Sequence, residues 1–290
     1  MDVLQPTSWG EALAAKGEYP EAVPLAGGTD LLVELNFDRR RPETIIDLTR
    51  VAELSEWWRV DGDVRLGAGV NYTRVIAELA SELPGLAIAS RTVGSPQIRN
   101  RGTIGGNLGT SSPAGDALPP LLASGARIEL AAATSGTRVV PVDEFCTGPK
   151  HNVLAPDELI AAIRLPVATG PQQFSKIGTR NAMVIAVASF AVSLDPSARS
   201  VGTGIGSAGP VPLRATEAER FLEGVLDEEG LWATRDPLSE AAVGRFGQLA
   251  SEASRPIDDV RGSAAYRRHA LAVMAERTLG WAWAEYRGES

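Results

Sequence analysis

Cysteine and histidine are nearly missing from this 290-residue chain: Cys146 is the one thiol, and His151 and His269 are the only imidazoles. The chain by itself therefore cannot assemble a zinc tetrahedron or a cysteine-ligated iron–sulfur cluster. A nucleophilic Cys–His pair with an orienting carboxylate is not visible around Cys146 either. Positive charge is short as well. Lys and Arg number 28 against 36 Asp and Glu, a net charge of −8 that argues against a nucleic-acid surface or a polybasic membrane patch. Any anionic ligand must be held by local groups. The longest apolar run, Ala182 to Val192, falls well short of the roughly 20 residues that cross a bilayer and reads as a buried strand or core segment. The N-terminus lacks a basic region followed by an apolar stretch, so a cytoplasmic protein without membrane insertion is the expectation.

The length points to two domains, or one with a large appendage. In "SWGEALAAKG" a serine cap precedes helix formers and a terminal glycine, "AVPLA" and "ETIIDL" read as strands, and "DLLVELNFD" as a helix between them, together a βαβ-like unit ending near Arg50. "EWWRVDGDVRLGAGV" carries a tight-turn signal between strands. "NYTRVIAELASEL" then reads as a helix closed by Pro84 and Gly85, with a further helix in "LAIASRTV". Beyond a glycine-rich stretch, "ALPPLLAS", "ARIELAAA", "GTRVVPVDEF" and "ELIAAIRLP" suggest an antiparallel sheet. "VATGPQQ", residues 167–173, is the candidate boundary. The remainder opens with strands and ends in a helix from Ser263 to about Tyr286, with Leu271, Met274 and Trp281 expected as one apolar stripe.

Three glycine patterns could hold a phosphate. "GIGSAG", Gly204 to Gly209, has the spacing of a dinucleotide fingerprint, but Pro210 and Pro212 follow at once and the next helix starts only near Thr216, so it reads as strand and loop. "PLAGGTDLL" leads from a strand into a helix, and its consecutive N–H groups either cradle an anion or form a plain turn capped by Thr29. "RNRGTIGGNLGTSSPAGD", Arg99 to Asp116, contains five glycines and no charge between Arg101 and Asp116. Gly102, Gly105, Gly106 and Gly109 leave room for a ligand against the main chain, and Thr103, Asn107, Thr110, Ser111 and Ser112 offer neutral hydrogen bonds. Neither loop has the lysine of an ATPase phosphate loop. Asp116 either caps a helix beginning at "ALPPLLA" or accepts a hydrogen bond from a ligand hydroxyl. Lys176 and Arg180, expected on one strand face, are either solvated charges or cations that tune a cofactor. Arg99 and Arg101 border the glycine stretch without a decided role.

Taken in order, "LAGGTDLL", "VGSPQIRNRGTIGGNLGTSSPAGDALPPLLA", "TGPKHNVLAPDELIAAIRLP", "FSKIGTRNAMVIAVASFAV" and "RPIDDVRGSAAYRRHAL" closely resemble the FAD-binding subunits of molybdenum hydroxylases. The nearest likeness is the separate flavin subunit of bacterial xanthine dehydrogenases, within the carbon monoxide dehydrogenase medium-subunit family. The resemblance implies an α+β fold: a vanillyl-alcohol-oxidase (PCMH) type FAD domain over 1–168, in subdomains of about 1–53 and 54–168, then a smaller α+β domain over 169–290 of the carbon monoxide dehydrogenase flavoprotein type. It implies that Ala26, Gly27, Gly28, Thr29 and Asp30 wrap the FAD diphosphate. Thr103, Gly106, Asn107, Thr110 and Asp116 would form the second wall, with Val93 and Gly94 beside the ring or ribityl chain. Ile160 falls at an aliphatic contact and Lys176 at a cationic one. It further implies a large partner subunit with the molybdenum cofactor, a small partner with two iron–sulfur clusters, and NAD+ or another acceptor for electrons leaving FAD. A self-contained flavin oxidoreductase, a sister enzyme for carbon monoxide, an N-heterocycle such as nicotine or an aryl thioester, and a subunit that has lost FAD are the rivals. Gly106→Val is expected to abolish FAD retention, and Gly206→Val to spare it.

Overall fold

The computed structural model describes residues 1–289, and its first layer is a small parallel sheet. Strand β1 (Asp2–Leu4), helix α1 (Trp9–Glu18), strand β2 (Val23–Leu25), helix α2 (Leu31–Asn36) and strand β3 (Thr44–Asp47) assemble with strand order β1-β3-β2. Ser8 caps α1 by accepting from Glu11 N at 3.3 Å, and the helix runs one residue past Gly17, the expected stop. Two 3-10 turns, Leu48–Arg50 and Ala52–Ser55, lead to the second layer.

That layer begins with β4 (Trp57–Val60) and β5 (Asp63–Gly67), joined by the "DGD" turn. Asp61 and Gly62 both have positive φ, 51° and 83°, the conformation that matches hairpin twist. Helices α3 (Tyr72–Glu78), α4 (Pro84–Thr92), α5 (Pro96–Arg101), α6 (Ile104–Thr110) and α7 (Leu118–Ala123) follow. Pro84 opens α4 instead of closing α3, because proline fits the first turn, where its missing N–H has no carbonyl to meet. The glycine-rich stretch, expected as a loop, contains two short helices. Strands β6 (Arg127–Ala132) and β7 (Gly136–Pro141), helix α8 (Val142–Phe145), the short hairpin β8 (Cys146–Gly148) and β9 (His151–Asn152), and β10 (Leu159–Pro166) complete the layer. The large sheet is antiparallel as expected, with order β4-β5-β10-β6-β7. Leu66, Leu86, Ile104, Leu118, Leu121, Phe145 and Ile163 fill the core between it and the helices.

The last part is a meander, β11 (Gln172–Ile177), β12 (Ala188–Asp195) and β13 (Ser200–Gly206), backed by α9 (Thr216–Glu228), α10 (Leu231–Thr234), α11 (Glu240–Glu252) and α12 (Ala264–Arg287). Leu271 and Met274 of α12 are buried, but Trp281 is exposed. Trp283 takes the inward place instead, packed edge-on to Trp232 with ring centroids 6.4 Å apart.

β13 carries glycines at alternate positions, all on one face, and α7 lies against that face. A Cβ on Gly202 would overlap the Ala123 carbonyl oxygen, and one on Gly204 the Pro119 carbonyl oxygen. The tempting "GIGSAG" pattern is therefore a packing surface that admits a helix backbone. Gly206 belongs to it too, since a Cβ there would overlap Ser189 Oγ and approach Pro119 Cγ at 2.9 Å. Gly206→Val thus disturbs the fold and cannot serve as a neutral control. Phe174, Ala191, Ala89 and Ala123 form a small apolar cluster across the same seam.

Candidate functional site

The two glycine segments meet. Ala26 and Gly27 bend the chain out of β2, and Gly27 lies so close to α5 that a Cβ would overlap the Arg101 carbonyl oxygen. Gly28 has φ of +76°, which a side chain would strain, and Thr29 follows half-buried. Asp30 precedes α2 without capping it. Its carboxylate instead accepts from Thr110 Oγ1 at 3.0 Å, tying the first segment to the end of α6.

Thr103 caps α6, accepting from Gly106 N at 2.9 Å. On the open side, a Cβ at Gly106 would meet only this cap oxygen, and one at Gly109 only Ile160 Cδ1 at 3.8 Å. Gly105 faces the other way, where a Cβ would come within 2.5 Å of Ala68 Cβ. Glycine thus serves two purposes on this helix: Gly105 lets it seat on Ala68, just past the end of β5, and Gly106 and Gly109 keep a free surface. Ile160 of β10 lines the floor beneath that surface. Val93 ends α4 and Gly94 turns with φ of +45°, while Arg99 donates to both their carbonyls at 3.0 and 3.1 Å. Arg99 is thereby assigned to shaping this turn. Arg101 is exposed, and its backbone is the part in contact with Gly27.

Asp116 does not cap α7, whose first turn has no side-chain cap. Its Oδ2 accepts from Lys176 Nζ at 2.6 Å, and the lysine donates also to Thr92 O at 3.2 Å. The pair crosses the seam from α7's leading turn to β11, with side chains only 10% and 7% exposed. Burial pushes the Asp116 carboxyl above the usual carboxylate range, and the charge and hydrogen bond of Lys176 pull it back only in part. The Thr92 hydroxyl lies close by but donates to Ala89 O at 2.8 Å. Arg180, expected on the Lys176 face, lies beyond the end of β11 and donates at 3.1 Å to the Ala182 and Met183 carbonyls of its own loop.

Three buried polar atoms around this region lack a hydrogen-bond partner among the described residues: Asn107 Oδ1, Asp116 Oδ1 and the Tyr72 hydroxyl. A buried acceptor without a donor costs about 1–3 kcal/mol, so two such acceptors beside a glycine-bare surface suit a ligand rich in hydroxyl groups. A dinucleotide with a ribityl chain has that chemistry. Tyr72 was not expected at the site. Its ring packs on Gly102, within 3.1 Å of where a Cβ would stand, and burial, with the Asp116 charge, pushes its phenol up. The sequence signal was the bareness of Gly102 together with an aromatic residue at the start of α3. Among the described residues no group of His, Cys, Asp or Glu could hold a metal ion, and no helix is long and apolar enough to cross a membrane.

A profile described as the FAD binding domain in molybdopterin dehydrogenase matches residues 1–168, and one described as the CO dehydrogenase flavoprotein C-terminal domain matches 173–282. The chain is 28% identical over 292 residues to the xanthine dehydrogenase FAD-binding subunit of Escherichia coli O157:H7, covering 96% of this chain and 94% of the relative. It is 31% identical over 285 residues to the carbon monoxide dehydrogenase medium chain of Afipia carboxidovorans, covering 96% and 95%. A chain of carbon monoxide dehydrogenase from Hydrogenophaga pseudoflava superposes with a TM-score of 0.88 at 31% identity, over 98% of this chain and 97% of that one. By the FAD-domain match over more than half its length, the chain belongs to the family of FAD-binding subunits of molybdenum hydroxylases.

Proposed function

We propose that this chain takes electrons from iron–sulfur clusters on a small partner and passes them through FAD to NAD+ or another acceptor, in a xanthine dehydrogenase-like enzyme of the cytoplasm. Its large partner would carry the molybdenum cofactor and hydroxylate the substrate. The observation that carries this reading is the pair of unpartnered acceptors, Asn107 Oδ1 and Asp116 Oδ1, beside the bare face of α6. The single cysteine supports it from the other side, because clusters must then reside on other chains.

In this reading residues 1–168 form the FAD domain, with subdomains of about 1–53 and 54–168, and 169–290 a second domain that contributes Lys176. Ala26 to Asp30 wrap the diphosphate with backbone N–H groups, and Thr103, Gly106, Asn107 and Thr110 form the facing wall. Val93 and Gly94 border the ring, Ile160 supplies apolar contact, and Asp116, held by Lys176, accepts from a ribityl hydroxyl. FAD, when bound, supplies the exchange of electrons between one-electron and two-electron carriers. The chain needs no acid or base of its own for that task. Its residues bind and orient the cofactor and leave one edge open to a partner.

Expression of the chain alone, with FAD supplied, tests the reading through its visible spectrum and NADH-dependent dye reduction. A bound flavin without substrate oxidation is the expected result. No flavin spectrum would overturn it, and oxidation of a small substrate by the unaided chain would establish a self-contained oxidoreductase instead.

A further inference from the structure

Among the described residues, Arg267 is the charged residue least exposed to solvent, at 3%. It is the fourth residue of α12, in the first turn, where the helix dipole opposes a cation, so neither its burial nor its position favours the charge. Its Nη1 donates at 2.6 Å to both Val187 O and Ser207 O, and its Nη2 at 2.6 Å to Asp259 Oδ1. Its Nε and the Ser207 hydroxyl, both buried, have no partner among the described residues. A buried charge left partly unpaired is a poor device for stability, since apolar side chains of similar volume often replace such groups without loss. What the guanidinium holds is more telling.

Both carbonyls belong to residues that grip the clasp. Ser207 N donates to Pro113 O at 2.8 Å, and Ser207 has φ of +60°, a left-handed backbone that a non-glycine residue keeps only where its surroundings hold it. The bond from Arg267 to its carbonyl is such a hold. Pro113 lies in the 112–116 turn, which closes on itself as Ala114 N and Gly115 N donate to Ser112 Oγ and O at 3.3 and 2.9 Å. A Cβ on Gly115 would stand 2.8 Å from Asn107 Oδ1, and Asp116 follows directly, so this turn sits between the two unpartnered acceptors of the clasp. On the other arm, Val187 N donates to Ile177 O at 2.8 Å, and Ile177 adjoins the Lys176 that holds Asp116. One guanidinium thus secures two arms by which the C-terminal half takes hold of the turn.

We propose that Arg267 is a positioning residue for the flavin clasp. It makes no hydrogen bond to a clasp residue itself. Through Ser207 and Pro113, and through Val187, Ile177 and Lys176, it sets where Asn107 and Asp116 present their free acceptors. This rests on the reading of the chain as an FAD subunit. Coupling of this kind is reciprocal, so FAD that fixes the turn must also tighten the contacts of Arg267.

The test uses the full-length chain, with FAD affinity from fluorescence titration and folding from near-UV circular dichroism. Arg267→Met is expected to weaken FAD binding about 10-fold. Leu271→Ala, which opens a cavity one turn further along the same helix, loses stability without touching either arm and is expected to keep its affinity within about twofold. Adding Ser207→Gly to Arg267→Met is expected to regain about 3-fold in affinity, because glycine keeps the left-handed backbone without the guanidinium. A purely structural arginine would not be rescued in this way. In the wild type, FAD should slow hydrogen exchange at the Ser207 and Val187 amides, a readout that decides the case even where Arg267→Met does not fold. Equal loss of affinity in Leu271→Ala, no rescue by Ser207→Gly, or exchange at those amides unchanged by FAD would each overturn the proposal. A wild-type chain that takes up no FAD overturns the cofactor reading and this proposal with it, whereas FAD bound equally by wild type and Arg267→Met overturns this proposal alone.

Discussion

Replacing Lys176 with methionine removes, among the described residues, the only cation that touches buried Asp116, at nearly constant side-chain volume. The pair lies at 2.6 Å with both side chains no more than about a tenth exposed, so the remaining carboxylate keeps its desolvation and loses its compensation. Breaking a buried pair in this way costs about 3–5 kcal/mol. Loss of the lysine pushes the Asp116 carboxyl, which burial already holds high, further up. The sign follows from linkage. A carboxyl whose folded value is raised contributes stability at low pH, below its unfolded value, and that stability is lost as pH rises through the folded value. The Lys176→Met deficit should therefore be about 3 kcal/mol in urea unfolding near pH 7.5 and shrink toward pH 5. The double variant Asp116→Asn/Lys176→Met should return to within about 1 kcal/mol of wild type, because neither charge is then stranded. Both variants should bind FAD about 10- to 100-fold more weakly in fluorescence titrations, since a charged acceptor contributes about 1.5–3 kcal/mol. A Lys176→Met protein as stable as wild type at pH 7.5, or one with a pH-independent deficit, would refute the reasoning.

Three other outcomes are expected. Gly106→Val should lose FAD from the purified chain while costing the apo fold only about 1 kcal/mol, the value of the Thr103 cap it crowds; thermal melts and bound-flavin absorbance separate the two effects. Gly204→Ala should destabilise by about 2–3 kcal/mol through collision with the Pro119 carbonyl, whereas Gly224→Ala, in open space on α9, should stabilise by about 0.5–1 kcal/mol. Glu129, bound by Arg65 at 2.6 Å and by Arg164, is raised by burial but brought below its ordinary value by the two guanidinium groups together. The stability it adds is present above about pH 4.5 and lost as pH falls through its lower folded value. Glu129→Gln should therefore cost about 2 kcal/mol at pH 7 and progressively less in acid, as read from urea unfolding across pH.

Local chemistry was legible wherever one residue decides a backbone conformation. Ser8, Asn71 and Ser263 cap their helices, the last two accepting at 2.9 and 3.2 Å, and "DGD" makes the turn its sequence announces. Asp30, Asn107 and Asp116 stood out as candidates from their motifs in the chain, whereas the Thr110 and Lys176 partners of two of them come from 80 and 60 residues away, pairings that left no local sign. Helix α6 was hidden because glycine is a poor helix former, and tertiary contacts override that preference: Gly105 N and Ile104 N are held by Ala68 O and Val70 O at 3.0 and 3.1 Å. Trp281 was misplaced because the buried face of α12 advances through Leu271, Met274, Thr278 and Ala282, an 11-residue spacing that a step of seven from Met274 leaves. Arg180 left its strand because β11 ends three residues earlier.

The comb of glycines on β13 also decides how the molecule comes apart. With the carbonyl oxygens of α7 lodged where side chains would stand, neither half can be withdrawn without baring a stripe of naked main chain on both. The seam thus fuses the halves into a single cooperative unit, which should absorb heat in one calorimetric transition. A protease cutting the connector at 167–171 would leave two fragments that stay together until that transition.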